Sequence, residues 1–334
     1  MVATTANAAE ACKVAKINTL PVVMDGFQPL VRAEVNDTPV YFLLDTGAFA
    51  TTLFVDQASK LALPSVDMVS INTARLVGVD GVTGMRGANI AKFTLGDQTI
   101  QEWHVAVGAA DMGGAGKDGI PVVGLLGEDV LGPYDLDIDL AHGALTLYRA
   151  QGCEKTYLAQ WSKDALLAEV EPATAGNAYI NIHVAVNGQR VHAIVDSGAS
   201  HSLLSLKAAA RAGITPDSPG VTEADKAVGV AGRSFQEWLA VFDSVAVGDE
   251  TVQHAKLRVG RMYTPTEHLN TGTRLSDHPD NRIEMLLGAD FLRAHHVLVA
   301  RSQNLMYFTH QGGAIFQTTG PALNRPQTGE PPAQ

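Results

Sequence analysis

Two aspartates stand where apolar strands would be expected to end in a neutral turn. In YFLLDTGAFATTL (41–53) four large apolar residues run straight into Asp45, and the chain then turns over Thr46-Gly47. A carboxylate delivered by a buried strand is costly unless it is paired or hydrogen-bonded. The chemistry open to it is proton transfer. The plain alternative is a β-turn, since Asp, Thr and Gly are ordinary turn residues. One such tripeptide decides nothing, because average residue usage produces it by chance in roughly one chain of this length in seven. A second one carries more weight: VHAIVDSGASHSLLS (191–205) again runs an apolar stretch, Ala193-Ile194-Val195, into Asp196-Ser197-Gly198-Ala199.

The likeness spreads outward from both aspartates. VNDTPVYFLLDTGA lies over VNGQRVHAIVDSGA without a gap, so Val35-Asn36 matches Val186-Asn187. Downstream, Val77-Gly78-Val79 matches Val228-Gly229-Val230 at the same offset, LGDQTI (95–100) matches VGDETV (247–252), and GLLGEDVL (124–131) matches MLLGADFL (285–292). The chain is an internal duplication with a period near 150 residues, too long for a solenoid repeat and suited to two similar lobes. The organisation expected is an N-terminal segment (1–16), a first lobe (17–150), a linker (151–165), a second lobe (166–310) and a flexible tail (311–334).

The elements that must position the aspartates read as short β-runs separated by turn residues. In the first copy these are strands at 19–24, 29–35 and 39–44, a short helix at 55–63, and a long hairpin at 69–96 with a glycine-rich tip at Gly78, Gly81 and Gly84. A strand at 101–108, a helical turn after GLLG and a closing hairpin at 135–149 complete it. The second copy repeats the order, with strands at 166–172, 178–186 and 190–195, a better helix candidate at 205–214 and a shorter hairpin within 228–252. The stretches 108–119 and 262–284 read as mobile loops of unequal length, and the proline-bearing tail as disordered or loosely docked.

Composition narrows the function classes. The 334 residues, 46% of them apolar, support a sizeable core. A formal net charge of −11 without any Lys/Arg run argues against nucleic acid or an anionic membrane as partner. No apolar stretch reaches the roughly 18 residues of a membrane span. The opening MVATTANAAEA has the small-residue character of the end of a signal peptide, so a removed signal and a periplasmic or secreted protein are expected. The two cysteines, Cys12 and Cys153, could be free buried thiols, or Cys12 could carry a lipid. Their positions on either side of the first copy favour a disulfide, which also implies an oxidising compartment.

Asp-Thr/Ser-Gly-Ala after an apolar strand, a glycine-tipped hairpin, then Leu-Leu-Gly before a helical turn resembles the retropepsin-like aspartic proteases, over residues 19–150 and again over 166–308. The resemblance implies an all-β fold of two pseudo-symmetric β-barrel lobes with a peptide cleft between them. It implies that Asp45 and Asp196 are the catalytic pair of an aspartic endopeptidase, with Thr46 and Ser197 each bonding into the other lobe's loop. Gly47 and Gly198 would allow the tight turns, and Ala48 and Ala199 would complete the loops. Leu125-Leu126-Gly127 and Leu286-Leu287-Gly288 would run beside them. The flap candidates are Gly78, Val79, Asp80 and Gly81 in one lobe and Gly229, Val230, Ala231 and Gly232 in the other. A protein or peptide substrate is implied, with no cofactor, no metal and no membrane insertion. Because both aspartates lie on one chain, a monomer should hold a complete site.

The resemblance is to the retroviral rather than the pepsin branch: Ala48 and Ala199 stand where pepsins usually carry a hydroxyl, and neither hairpin holds a tyrosine. The loops are not chemically equivalent, since Phe49 stands where the second copy has Ser200. The runner-up is a non-catalytic peptide-binding protein that kept the fold. A third reading is a processing enzyme with one dedicated protein partner. Elsewhere, Asp135, Asp137 and Asp139 alternate as on a solvated strand face, without the glycine and distal Glu of a calcium loop. The eleven histidines show no metal spacing. His192 and His201 flank the second aspartate and are assigned packing or surface roles ahead of tuning it. Trp103 and Trp238 are expected in the core.

Overall fold

The computed structural model describes residues 11–66, 75–111, 116–174, 178–262 and 282–316. The start of the chain, the centres of the two long loops, the first part of the 69–96 hairpin and the tail beyond residue 316 lie outside the described residues.

The chain forms two barrels of six strands each with the same strand order. In the first, Gln28–Val35 pairs with Thr38–Leu44, which pairs in parallel with Val122–Leu126; Thr52–Phe54, Gln98–Ala109 and Arg86–Leu95 follow, and the last returns to Gln28–Val35. The second runs Asn181–Val186, Gln189–Val195, Met285–Leu287, Leu203–Ser205, Glu250–Gly260 and Glu237–Val247, closed by Asn181–Val186 against Glu237–Val247. Closure leaves few unpaired strand edges.

The strands that carry the aspartates are buried on both faces, which is why they read as unbroken apolar runs. Val40, Phe42 and Leu44 join the main core, whereas Tyr41 and Leu43 on the other face join a smaller cluster with Leu30, Phe54 and Leu125. In the second lobe Val191, Ala193 and Val195 join the main core, and Ile194 on the other face packs with Leu203 and Leu286. The side-chain period of two thus gives each barrel a core side and a cleft side.

Short helices at Val55–Lys60 and Leu206–Arg211, and single turns at Glu128–Leu131 and Ala289–Leu292, lie where the duplicated segments place them. The hairpins differ from expectation. The stretch 69–96 holds a short ribbon, Arg75–Gly78 with Gly81–Gly84, followed by a separate strand, Arg86–Leu95, that pairs forward with Gln98–Ala109. Gly84 therefore ends the ribbon rather than lying at its tip. In the second lobe the ribbon is Ala227–Val228 with Ser234–Phe235, and Glu237–Val247 pairs with Glu250–Gly260. The Gly-Asp pairs of LGDQTI and VGDETV are the cause: Gly96 and Gly248 take φ +56 and +52 and turn the long strands back on themselves.

A second correction concerns DLDID. Asp135–Asp139 is not a solvated face, because it pairs with His295–Ala300 of the second copy, Leu136 opposite Val299. The closing strands of both copies form one sheet, in the order Leu166–Glu169, Leu305–His310, His295–Ala300, Asp135–Asp139, Ala144–Gln151, Lys13–Asp25. Asp135 is buried and accepts from Ser302 N–H at 2.9 Å and Ser302 Oγ at 2.7 Å. Asp137 holds His296 Nε2 at 2.5 Å, and Trp161 of the linker stacks on that imidazole at 3.8 Å. Asp135 and Asp137 thus face partners from the other lobe, whereas Asp139 bonds chiefly to His142 of its own. Of the tryptophans, Trp103 is half-buried against the core and 4.6 Å from Phe93, whereas Trp238 is half-buried in its ladder and outside the core clusters.

Cys12 and Cys153 form a disulfide with a sequence separation of 141. It joins the first and last strands of the first copy at their paired ends, Lys13 opposite Gln151. A loop of this size corresponds to about 5 kcal/mol in the chain-entropy model. Replacing both cysteines with serine is expected to lower unfolding free energy by that order, read from urea denaturation. Intact mass after alkylation of unreduced, unfolded protein should show no modified thiol; two labelled thiols would contradict the bond.

Candidate active site

Each aspartate sits at the C-terminal end of its apolar strand, where the backbone leaves the ladder. Asp45 N–H donates to Leu126 O at 3.1 Å and Asp196 N–H to Leu287 O at 2.9 Å, so the Leu-Leu-Gly strands hold the two loops at the same depth. Gly47 N–H donates to Asp45 Oδ1 at 3.0 Å; Gly198 and Ala199 N–H donate to Asp196 Oδ1 at 2.9 and 3.1 Å.

The two loops grip each other through crossed hydroxyls. Thr46 Oγ1 donates to Val195 O at 2.7 Å and accepts from Ser197 N–H at 3.0 Å. Ser197 Oγ donates to Leu44 O at 2.7 Å and accepts from Thr46 N–H at 3.1 Å. All four bonds are buried, where an unmade bond would be expensive. The grip brings each carboxyl against the other loop's glycine. A Cβ on Gly47 would lie 2.5 Å from Asp196 Oδ1, and one on Gly198 would lie 2.5 Å from Asp45 Oδ1. Only glycine fits at either position.

The carboxyls are hydrogen-bonded to each other, and Asp45 and Asp196 are only 6% and 9% exposed. Burial, reinforced by the Asp196 charge and the bond to Asp196, holds Asp45 well above the usual carboxylate range. Burial raises Asp196 as well, offset in part by the N–H groups of Ala199 and Gly198 and by Asp45. Two carboxyls this close do not both ionise readily, so one proton belongs to the pair rather than to either residue. The arrangement can take one proton and give another at adjacent oxygens.

A set of braces beneath the loops carries no sequence motif of its own. Thr51 Oγ1 and N–H both donate to Asp129 Oδ1 at 2.7 Å, and Gly127 N–H donates to Thr51 Oγ1 at 3.1 Å. Ser202 Oγ and N–H donate to Asp290 Oδ1 at 2.6 and 2.9 Å, and Gly288 N–H donates to Ser202 Oγ at 2.9 Å. Burial pushes Asp290 up to about 6 against these donors. The signal was present: both aspartates lie in the matched octapeptides GLLGEDVL and MLLGADFL. Glu128, in contrast, has Ala289 as its counterpart. Its N–H donates to Ala48 O at 2.9 Å, its carboxylate accepts from Arg301 at 2.6 Å, and burial pushes it up to about 7. The pair with Glu128 ties the lobes together, and Arg301 is fixed within its own lobe by donating to Ala178 O at 3.1 Å.

The glycine-tipped ribbons meet each other. Val79 packs with Ile194, Leu203 and Leu286 of the second lobe, while Val230 packs with Leu30, Leu43 and Leu125 of the first. Neither flanking histidine bonds to the carboxyl pair. His192 is buried and donates to Arg282 O at 3.3 Å, with Glu171 3.8 Å away. The His201 ring lies 4.7 Å from Phe27, and burial together with Arg258 and Arg293 pushes it down to about 4, so it is neutral. Phe49 is exposed beside the first loop. Among the described residues no group of His, Cys, Asp and Glu is placed to hold a metal ion.

The sequence matches the aspartyl protease family over residues 31–130 and again over 182–291, each match covering one Asp loop and one Leu-Leu-Gly strand. Among solved structures the chain is similar to a retropepsin-like aspartic protease from Rickettsia conorii, at 22% identity, covering 42% of this chain and 95% of that one with a TM-score of 0.27. It is also similar to an aspartic proteinase from Irpex lacteus, at 14% identity, covering 90% of this chain and 97% of that one with a TM-score of 0.42. Among curated proteins none matches.

The raised carboxyl pair has a consequence for stability. A group that binds its proton more tightly when folded contributes stability that is full below its unfolded pKa, about 3.9 for Asp, and is lost as pH rises through the folded value. Asp45→Asn removes the share of that dependence carried by Asp45, the more strongly raised of the two. The variant is therefore expected to gain on the wild type in melting temperature as pH is raised from about 4 towards neutrality. Melting curves across that range check this; a difference independent of pH would contradict the raised pair.

Proposed function

The chain belongs to the aspartyl protease family, and from that premise we propose that it is an aspartic endopeptidase whose active pair is Asp45 and Asp196. The observation that carries the reading is the buried, mutually hydrogen-bonded carboxyl pair held by the crossed Thr46 and Ser197 hydroxyls.

In the acting state one carboxyl is ionised and its partner protonated. The ionised oxygen takes a proton from a water as the water oxygen bonds to the scissile carbonyl carbon, and the protonated partner gives its proton to the carbonyl oxygen. The tetrahedral diol then collapses: the C–N bond breaks, a carboxyl proton passes to the departing nitrogen, and one hydroxyl proton returns to the pair. Pseudo-symmetry leaves either aspartate able to start as the base. The apolar walls that carry Leu43 and Ile194 suit an extended peptide, held by strand-like backbone bonds under the two ribbons. A non-catalytic peptide binder would have no use for two buried carboxyls facing each other, since each is costly to desolvate. The disulfide supports an oxidising compartment, periplasmic or secreted.

Asp45→Asn and Asp196→Asn are each expected to abolish cleavage of a diverse peptide library, because a lone carboxyl cannot act as base and acid together, while both variants keep the fold by circular dichroism. Mixed in equal amounts they should remain inactive. Activity returning in proportion to dimer formation would replace the single-chain pair with one swapped between chains, and full activity of either variant would remove the pair from the mechanism.

A further inference from the structure

The two ribbons are joined by polar contacts in which the second ribbon supplies the donors and the first the acceptors. The first tip is the two-residue loop Val79-Asp80, with Gly78 opposite Gly81. The second is the turn Gly229–Gly232, closed by Gly232 N–H on Gly229 O at 3.0 Å. Asp80 reaches across and accepts from Ala231 N–H at 3.1 Å and from Arg233 N–H at 2.8 Å, one on each carboxylate oxygen. Arg233 returns the contact: its guanidinium lies over Gly81 and donates to Val82 O at 3.4 Å. The second tip is held from a further side, where Ala110 N–H donates to Val230 O at 2.9 Å. In the duplicated alignment Ala231 stands where Asp80 stands in the first copy, and Val82 where Arg233 stands in the second. The carboxylate has no mirror image.

We propose that Asp80 is the latch of the cleft, a single carboxylate that caps the opposite ribbon's turn and makes the two ribbons open together. Close approach at Gly229 is part of the device, since a Cβ there would lie 2.5 Å from Asp80 Oδ1. While the latch is engaged, Val79 lies on the second lobe's apolar wall and Val230 on the first lobe's, so both walls beside the aspartates are covered by the chain itself. A bound peptide reaches those walls only after both valines have lifted, and neither lifts alone while Asp80 bonds Ala231 and Arg233. The charge-assisted bonds are stronger than a neutral ribbon–ribbon contact would be. The consequence for access rests on the peptide-cleft reading above; the latch itself is testable without any cleavage.

The test is backbone hydrogen exchange of the full chain with its disulfide intact, comparing wild type with Asp80→Ala. The amides of 77–83 and 229–234 are expected to exchange about tenfold faster in the variant or more, the factor that loss of a hydrogen bond to a charged acceptor corresponds to. The amides of the barrel strands 38–44 and 189–195 should keep their rates. Ribbon rates equal to wild type would overturn the latch. If the barrel amides also accelerate, Asp80→Asn decides the matter, because it keeps the side chain's size but removes the charge and one of the two oxygens that accept from Ala231 and Arg233 N–H. Faster exchange confined to the ribbons then supports the latch, and wild-type rates overturn it. Failure of Asp80→Ala to change exchange leaves the Asp45→Asn cleavage result untouched, so the two readings fall separately.

Discussion

Everything at the centre of this molecule depends on the reciprocal bonds between Thr46 and Ser197. Two carboxyls brought together repel as soon as both ionise, and burial penalises even one charge. Something must hold them at contact, and here it is two hydroxyls that each satisfy a carbonyl and an N–H in the opposite loop. Each hydroxyl donates and accepts across the pseudo-two-fold axis, so neither loop can move away without breaking all four buried bonds. The glycines follow from the same constraint: with the loops this close, the carboxyls occupy the space a Cβ would need.

Around that centre the copies have diverged in ways that link the lobes rather than merely duplicate them. Glu128 and Arg301 form an ion pair across the seam with no counterpart at Ala289. Burial holds Glu128 near the neutral range despite the guanidinium, so for this carboxyl desolvation outweighs the attraction. Arg301 adds a bond to Ala178 O, so one side chain connects the turn below the first aspartate loop to the segment leading into the second barrel. Phe49 against Ser200 and Asp80 against Ala231 are further places where a shared backbone carries different chemistry.

The aspartate loops, the Leu-Leu-Gly strands and the paired order of elements were legible because each is a local pattern repeated at a fixed offset. Asp129 and Asp290 lie inside the matched octapeptides and Thr51 and Ser202 just past the matched loops, yet nothing local says that a hydroxyl at one end of a loop will meet a carboxylate in a distant turn. DLDID is ambiguous for a related reason. Alternation shows that one face of a strand is polar, but water and a partner strand satisfy that face equally well, and Asp135 and Asp137 meet Ser302 and His296 of the other copy. The ribbons are shorter than the expected hairpin because glycines mark turns without saying which turn joins which strands; the turn at Gly96 pairs Arg86–Leu95 forward with Gln98–Ala109.

The shared sheet places Asp135–Asp139 of one copy beside His295–Ala300 of the other within a single polypeptide. Were the two lobes separate identical chains, that seam would form only as fast and as fully as their concentration allowed, and every substitution would appear on both sides of it. Covalent continuity fixes the local concentration of one half around the other, so the seam does not weaken on dilution. It also releases the halves from identity: a carboxylate can stand at position 80 and an alanine at 231, giving the cleft a left and a right hand that a symmetric pair could never acquire.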